Sequence, residues 1–123
     1  YIHLYTLILM LINNKDIIRI NQEIGEDGNL RNEGSLSYAL SAMKEKPWLY
    51  ELSYLMRCLL VDHCFQDGNK RTALTIVLWY FSNQHIEFNR EKIMRTMRLI
   101  AKNNITDVNK IMRMIKDGIY KER

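Results

Sequence analysis

From Asn69 to Asn83 the chain carries Ala73, Leu74, Ile76, Val77, Leu78, Trp79, Tyr80 and Phe81, apolar almost all round over a helical length. A helix without a polar face belongs in the middle of a domain, so this segment predicts a central helix with the rest of the chain around it. One Pro and five Gly in 123 residues are too few for the many turns of an all-β fold, and seven Met with abundant Leu and Ile favour helix. The expected fold class is therefore all-α: a compact helical bundle with a small flap loop or hairpin, in a single domain over 1–123. Apolar and charged fractions of 47% and 26% exclude a disordered tail, a collagen-like repeat and a disulfide scaffold.

Caps and stops divide the bundle. A first helix is expected from Lys15 to Ile24, with Asn14 as N-cap, Ile17, Ile20 and Ile24 on one face, and Gly25 as the stop. The polar stretch from Gly25 to Gly34 suits an exposed turn or hairpin. Ser35 is placed to cap a second helix that ends near Lys46, because the residue before Pro47 is pushed out of the α region. Pro47 suits the first turn of a third helix. Its stripe of Leu49, Leu52, Met56 and Leu59 continues onto His63, which places that side chain at the helix end and on the core side. After a short extended link at His85 to Phe88, Asn89 caps a helix with Ile93, Met97 and Ile100 inward. Thr106 caps the last helix, which buries Val108, Ile111, Met112, Ile115 and Ile119.

Cys58 and Cys64 are too few for a disulfide framework and lack zinc spacing, so they read as free thiols in a reducing, cytoplasmic setting. The apolar run from Tyr1 to Ile12 lacks the basic start and cleavage site of a signal peptide. It also falls short of the roughly 20 residues that span a bilayer, so no membrane is expected and the run reads as a core or interface segment. The net charge is +4, and its surplus is local: ten Lys or Arg and four Asp or Glu stand from Arg90 onward. Without interleaved aromatic residues those cations read as solvated helix surface, and nucleic acid is not an expected partner. A non-catalytic module binding nucleic acid through these helices is the reading without chemistry, and it predicts a steep salt dependence.

Chemistry concentrates in His63-Cys64-Phe65-Gln66-Asp67-Gly68-Asn69-Lys70-Arg71-Thr72-Ala73. A helix beginning near Asn69 has unpaired backbone N–H groups and about half a positive charge at that end, which makes an anion pocket. Gly68 admits close approach of a ligand, Asn69 adds an amide donor, and Lys70 and Arg71 add cationic donors. Two cations at a positive helix end cost on the order of 0.3 to 1 kcal/mol each unless an anion sits there. Asp67 supplies a hard oxygen suited to Mg²⁺, so phosphate with magnesium is the ligand this set expects. His63 stands in place to accept a proton from an attacking hydroxyl, Phe65 anchors the loop, and Cys64 fills space.

This string closely resembles the signature of the Fic/Doc family, in particular its Doc (death-on-curing) branch. Leu30 to Leu36, Ala39-Leu40 and Asn104-Ile105-Thr106 extend the resemblance over most of the chain. It implies a compact Fic/Doc-type core and catalytic residues His63, Asp67, Lys70 and Arg71. His63 would be the general base, and Asp67 would hold Mg²⁺. Gly68, Asn69, Lys70 and Arg71 would cradle ATP phosphates, while Asn29, Leu30, Arg31, Asn32 and Glu33 would lie in a flap that positions the target. AMP-transferring members carry Gly where Lys70 stands and Arg where Leu74 stands; both departures match the Doc branch. The resemblance thus implies a kinase-like toxin of a toxin–antitoxin pair, moving the γ-phosphate of ATP to a hydroxyl of translation elongation factor Tu or its counterpart. Fic-type AMP transfer is the alternative. No Ser/Thr-x-x-x-Glu inhibitory motif is evident around Glu33, so a separate antitoxin acting in trans is implied, with Tyr1 to Ile12 a candidate surface for that contact or for a homo-oligomer.

Overall fold

The structure, a computed structural model, describes residues 13–119. Its helices are α1 (Asn14–Glu23), α2 (Glu33–Ala42), α3 (Trp48–Leu60), α4 (Asn69–Asn83), α5 (Arg90–Lys102) and α6 (Val108–Lys116). No strand occurs among the described residues, only two isolated bridges, so the chain folds as the expected all-α domain. No helix among the described residues is long and apolar enough to cross a membrane. The run from Tyr1 to Ile12, and with it the interface role expected there, lies outside the described residues.

Four caps differ from the sequence expectation, each for a local reason. Asn13, not Asn14, caps α1, because Asp16 returns the bond: Asn13 Oδ1 accepts from the Asp16 amide at 3.0 Å and the Asn13 amide donates to Asp16 Oδ2 at 3.1 Å. Asn32 rather than Ser35 caps α2, accepting from the Ser35 amide at 3.0 Å. That helix then stops at Ala42, short of Lys46, as the chain turns through Glu45 at φ 61°. Pro47 is the N-cap of α3, not a residue of its first turn. Asp107 replaces Thr106 as the cap of α6, its carboxylate accepting from the Asn109 amide at 2.9 Å beside the positive helix end.

The middle of the bundle is α3, not α4. It packs against α2, α4, α5 and α6, while α1 lies against α4 and α2. Leu52, Leu55, Met56 and Leu59 are fully buried, and Cys58 and Leu60 nearly so. Glu51 and Ser53 are buried with them, and both are satisfied: Tyr80 Oη donates to Glu51 Oε1 at 3.1 Å, and Ser53 Oγ donates to the Leu49 carbonyl at 2.7 Å. Burial pushes the Glu51 carboxyl up, opposed by the bond from Tyr80. Tyr80 is raised strongly by its own burial and by the Glu51 charge, so it stays a protonated donor. In α4 the buried face is Thr72, Ala73, Ile76, Val77, Tyr80 and Phe81, whereas Leu74, Leu78 and Trp79 are only half-buried. An apolar sequence all round did not make α4 the centre. Two internally paired polar residues were compatible with α3 taking that place.

Candidate functional site

Residues 61–68 join α3 to α4, and every part of the motif follows from how this loop is tied down. α3 ends at Leu60, three residues before His63. The extrapolated stripe therefore fails: His63 lies outside the helix, at φ 51°, and is exposed rather than turned to the core. A left-handed backbone at a non-glycine residue costs on the order of 1 to 2 kcal/mol, and here it reverses the chain so that Cys64 and Phe65 can turn inward. Both are completely buried, as expected of an anchor and a space-filler.

The loop is bonded to the stretch after α1. Phe65 forms an antiparallel bridge with Leu30. The Arg31 amide donates to the Cys64 carbonyl at 2.7 Å, the Asn32 amide to the same oxygen at 3.1 Å, and the Gln66 amide to the Asn29 carbonyl at 2.9 Å. Of the expected flap, Asn29, Leu30, Arg31 and Asn32 thus run beside the motif as one short bridge, while Glu33 is already the first residue of α2. The amide of Asn69 completes the frame. It accepts from the Phe65 N–H at 3.0 Å through Oδ1 and donates to the Phe65 carbonyl at 3.0 Å through Nδ2. These are the two backbone groups of Phe65 that the bridge leaves over, so the Asn69 side chain is committed to holding the loop.

Gly68 opens α4 as its N-cap, with φ 78° and no side-chain cap. Glycine is required there twice. The conformation is left-handed, and a Cβ would stand 2.6 Å from Glu26 Cγ and 3.2 Å from Glu26 Oε2. Glu26 consequently lies over the start of α4, with its carboxylate 3.8 Å from Arg71 Nη1. Arg71 also donates to the Ile24 carbonyl at the end of α1. The anion that two cations at a positive helix end call for is therefore supplied in part by the chain itself. Lys70 is exposed and lines, with Arg71, a groove between α4 and α5.

Asp67 is held by its backbone, its carbonyl accepting from Asn21 Nδ2 at 3.0 Å, and its side chain is exposed. Asn21, Glu26, Asp27, Asn29, Gln66 and Asp67 line a notch of about 20 Å³, room for one water-sized group. No cluster of three or more His, Cys, Asp or Glu able to hold a metal ion occurs among the described residues. Asp67 alone would be a Mg²⁺ ligand only with phosphate oxygens and water completing the shell, the usual arrangement where magnesium arrives with a nucleotide.

Two residues of this site are missed by the sequence reading. Asn21 is buried and knots three segments: it donates to Asp67 and to Thr72 Oγ1 at 3.1 Å, and accepts from the Gly28 amide at 2.9 Å. Its signal is a polar residue on the apolar face of α1, four residues after Ile17. Glu26 has a weaker signal, an acid directly after the helix-stopping Gly25. The neighbouring Cys58 and burial raise the Cys64 thiol far above its ordinary range, whereas the Cys58 thiol is lowered by Cys64 and by Ser35, whose hydroxyl donates to its Sγ at 3.5 Å. Both cysteines are buried in the core, Cys58 at 1% and Cys64 at 0% exposure, so they belong to the packing. Compared with models of known protein families the chain matches none, and no curated protein matches it in sequence.

Proposed function

We propose that this chain is a Doc-like phosphotransferase: a toxin that moves the γ-phosphate of ATP to a hydroxyl of a protein, with a translation elongation factor as acceptor and an antitoxin in trans as its inhibitor. The observation that carries the reading is the carboxylate of Glu26, resting on the glycine start of α4 and facing Arg71. An anion position occupied by a weak internal anion is one that phosphate can take by exchange.

In this reading the unpaired N–H groups of the first turn of α4, with Lys70 and Arg71, hold the transferring phosphate and stabilise its developing charge. His63, exposed at the mouth of the loop, takes the proton of the acceptor hydroxyl. The hydroxyl oxygen then bonds to the γ-phosphorus, the bridging P–O bond breaks, and ADP leaves with that electron pair. Asn69 and Asn21 do not touch the reacting atoms; they fix the loop that carries His63 and Asp67. Asp67 would hold Mg²⁺, which when bound shields the phosphate charge. Acceptor positioning falls to the bridge residues Asn29 to Asn32, which lie alongside the motif.

The test is incubation in a cell extract with ATP labelled at the γ- or the α-phosphate. Label from γ on one protein band, lost in the His63→Ala variant, is the expected result. Label from α alone makes the reaction AMP transfer, and label from neither removes the enzymatic reading.

A further inference from the structure

The chain has two cysteines, and both are enclosed in the core beside the loop that carries His63. Cys58 stands in the last turn of α3, and Cys64 directly follows His63. Their backbones meet: the Cys64 amide donates to the Cys58 carbonyl at 3.3 Å. Bond lengths alone then keep the two Cα atoms within about 7 Å, and the bend of an ordinary amide hydrogen bond brings them inside the roughly 4.4 to 6.8 Å that a disulfide spans. Each thiol is also the largest influence on the other's acidity. The Cys64 side chain lowers Cys58, with burial opposing and Ser35 helping, while Cys58 and burial raise Cys64. The two sulfurs are not equivalent. Ser35 Oγ lies 3.5 Å from Cys58 Sγ and 2.7 Å from Asp62 Oδ2, so Cys58 adjoins a half-buried hydroxyl and, through it, an exposed carboxylate. Cys58 is thus the thiol nearer to water and the more easily ionised, with Cys64 held protonated behind it. A thiolate that attacks and a second thiol that resolves make up a peroxide-sensitive pair.

We propose that Cys58 and Cys64 are an oxidation site, which hydrogen peroxide closes into a disulfide that fastens the His63 loop to the end of α3. In the first step the Cys58 sulfur bonds to one peroxide oxygen, the O–O bond breaks, and the other oxygen leaves with the electron pair and takes up a proton as water. In the second step the Cys64 sulfur gives up its proton and bonds to Cys58 Sγ. The S–O bond breaks and a second water leaves. Two thiols and one peroxide give one disulfide and two waters, the sulfurs losing two electrons. Both sulfurs are covered in the closed fold, so peroxide enters when the loop opens locally. The Cys64 carbonyl also receives the Arg31 and Asn32 amides, so the new bond ties α3, the loop and the residues of the Leu30 bridge together. The inference stands on this geometry and does not rest on the phosphate-transfer reading.

The experiment treats the freshly reduced full chain with a small excess of hydrogen peroxide, blocks remaining thiols in denaturant and digests with trypsin. Arg57 precedes Cys58 and the next Lys or Arg is Lys70, so both cysteines fall on one peptide, 58–70. The expected result is that peptide unblocked, lighter by two hydrogens or about 2 Da, and restored by dithiothreitol, with the helical spectrum of the chain unchanged. Amide exchange at Cys64, Arg31 and Asn32 should slow about tenfold or more in the oxidised form. Oxygen added to either sulfur without their joining, two copies of the peptide joined across chains, or both thiols still open to blocking overturns the pair. Unchanged or faster exchange overturns the fastening. In Cys64→Ala the sulfenic acid formed at Cys58 should be trapped by dimedone, and Cys58→Ala should take up at least about tenfold less. Equal uptake by the two folded variants overturns Cys58 as the attacking thiol. Where a variant fails to fold, the wild-type peptide still decides whether the pair closes.

Discussion

Asn69 offers the sharpest separation between a ligand-binding role and a loop-holding role. Truncating it in Asn69→Ala deletes both bonds to Phe65, each 3.0 Å long, and leaves that residue's N–H and carbonyl without their partner. Phe65 is completely buried, although the bonds lie in a partly buried region. An orphaned buried polar group costs about 1 to 3 kcal/mol, and partial access of water argues for the low end, so the pair is worth about 2 to 3 kcal/mol. Alanine recovers about 0.5 kcal/mol through helix propensity at the first position of α4. A net loss of about 2 kcal/mol follows, a fall in Tm of roughly 8 °C for a chain of this size. Urea denaturation and a thermal scan read it directly.

Asn69→Asp refines the test. It keeps the acceptor for the Phe65 N–H, loses the donor to the carbonyl, and adds a charge that the helix end favours by about 0.3 to 1 kcal/mol. Its stability should fall by no more than about 1 kcal/mol, between wild type and Asn69→Ala. If Asn69→Ala melts within about a degree of wild type, the clamp does not hold the loop and the reasoning fails. If stability is unchanged while triphosphate affinity collapses, Asn69 is a direct ligand instead.

Further expectations follow from neighbouring contacts. Glu26→Gln removes the internal competitor of phosphate; exposed pairs of this kind are worth at most about 1 kcal/mol, so triphosphate affinity should rise about two- to fivefold in a titration at low salt, and no change would remove Glu26 from the site. Gly68→Ala should cost about 1 to 2 kcal/mol in urea denaturation for its left-handed backbone, and adding Glu26→Ala should restore only the part due to the 2.6 Å contact; full restoration would mean the backbone is not strained. Glu51 is raised in the folded state, so the fold binds its proton more tightly than the unfolded chain does. Its contribution to stability is full below the ordinary value of 4.5 and is lost as pH rises through the raised folded value. Glu51→Gln keeps an acceptor for Tyr80 and should abolish that decline in the urea midpoint; parallel pH profiles for the two proteins would refute it.

Helix type and order were legible in the sequence because they depend on short-range patterns: Asn89 as a cap, Gly25 as a stop, and the 69–83 span of α4 all stand where local rules put them. The misplaced caps have local causes, but the errors in the core and the loop share one cause, which is that the rules are blind to partners far along the chain. Nothing near Glu51 announces Tyr80, 29 residues later, so the sequence pointed to α4 rather than α3 as the central helix. Nothing near His63 announces the Leu30 bridge, for which the chain must leave the helix at Leu60. For the site, the glycine and the cations could be read from helix-end electrostatics, but Asn21 lies 46 residues from its partner Asp67, and its place became visible only in three dimensions.

The electrostatic argument that drew attention to Lys70 and Arg71 also changes once Glu26 is included. Two cations at the positive end of α4 were a reason to require an external anion. With Glu26 at 3.8 Å from Arg71, one of them already has a partner, so phosphate binding as proposed would be an exchange rather than the filling of an empty field. On the proposed reading the exchange still favours phosphate. The carboxylate carries one charge and is 28% exposed, so water screens its hold on Arg71, while the terminal phosphate of a nucleotide carries more charge and accepts from several N–H groups at once. Lys70, exposed at the groove, adds attraction that Glu26 is not seen to offset. The balance therefore tips through charge and donor count. It should weaken steeply with salt, so raising ionic strength should narrow the gap in triphosphate affinity between wild type and Glu26→Gln.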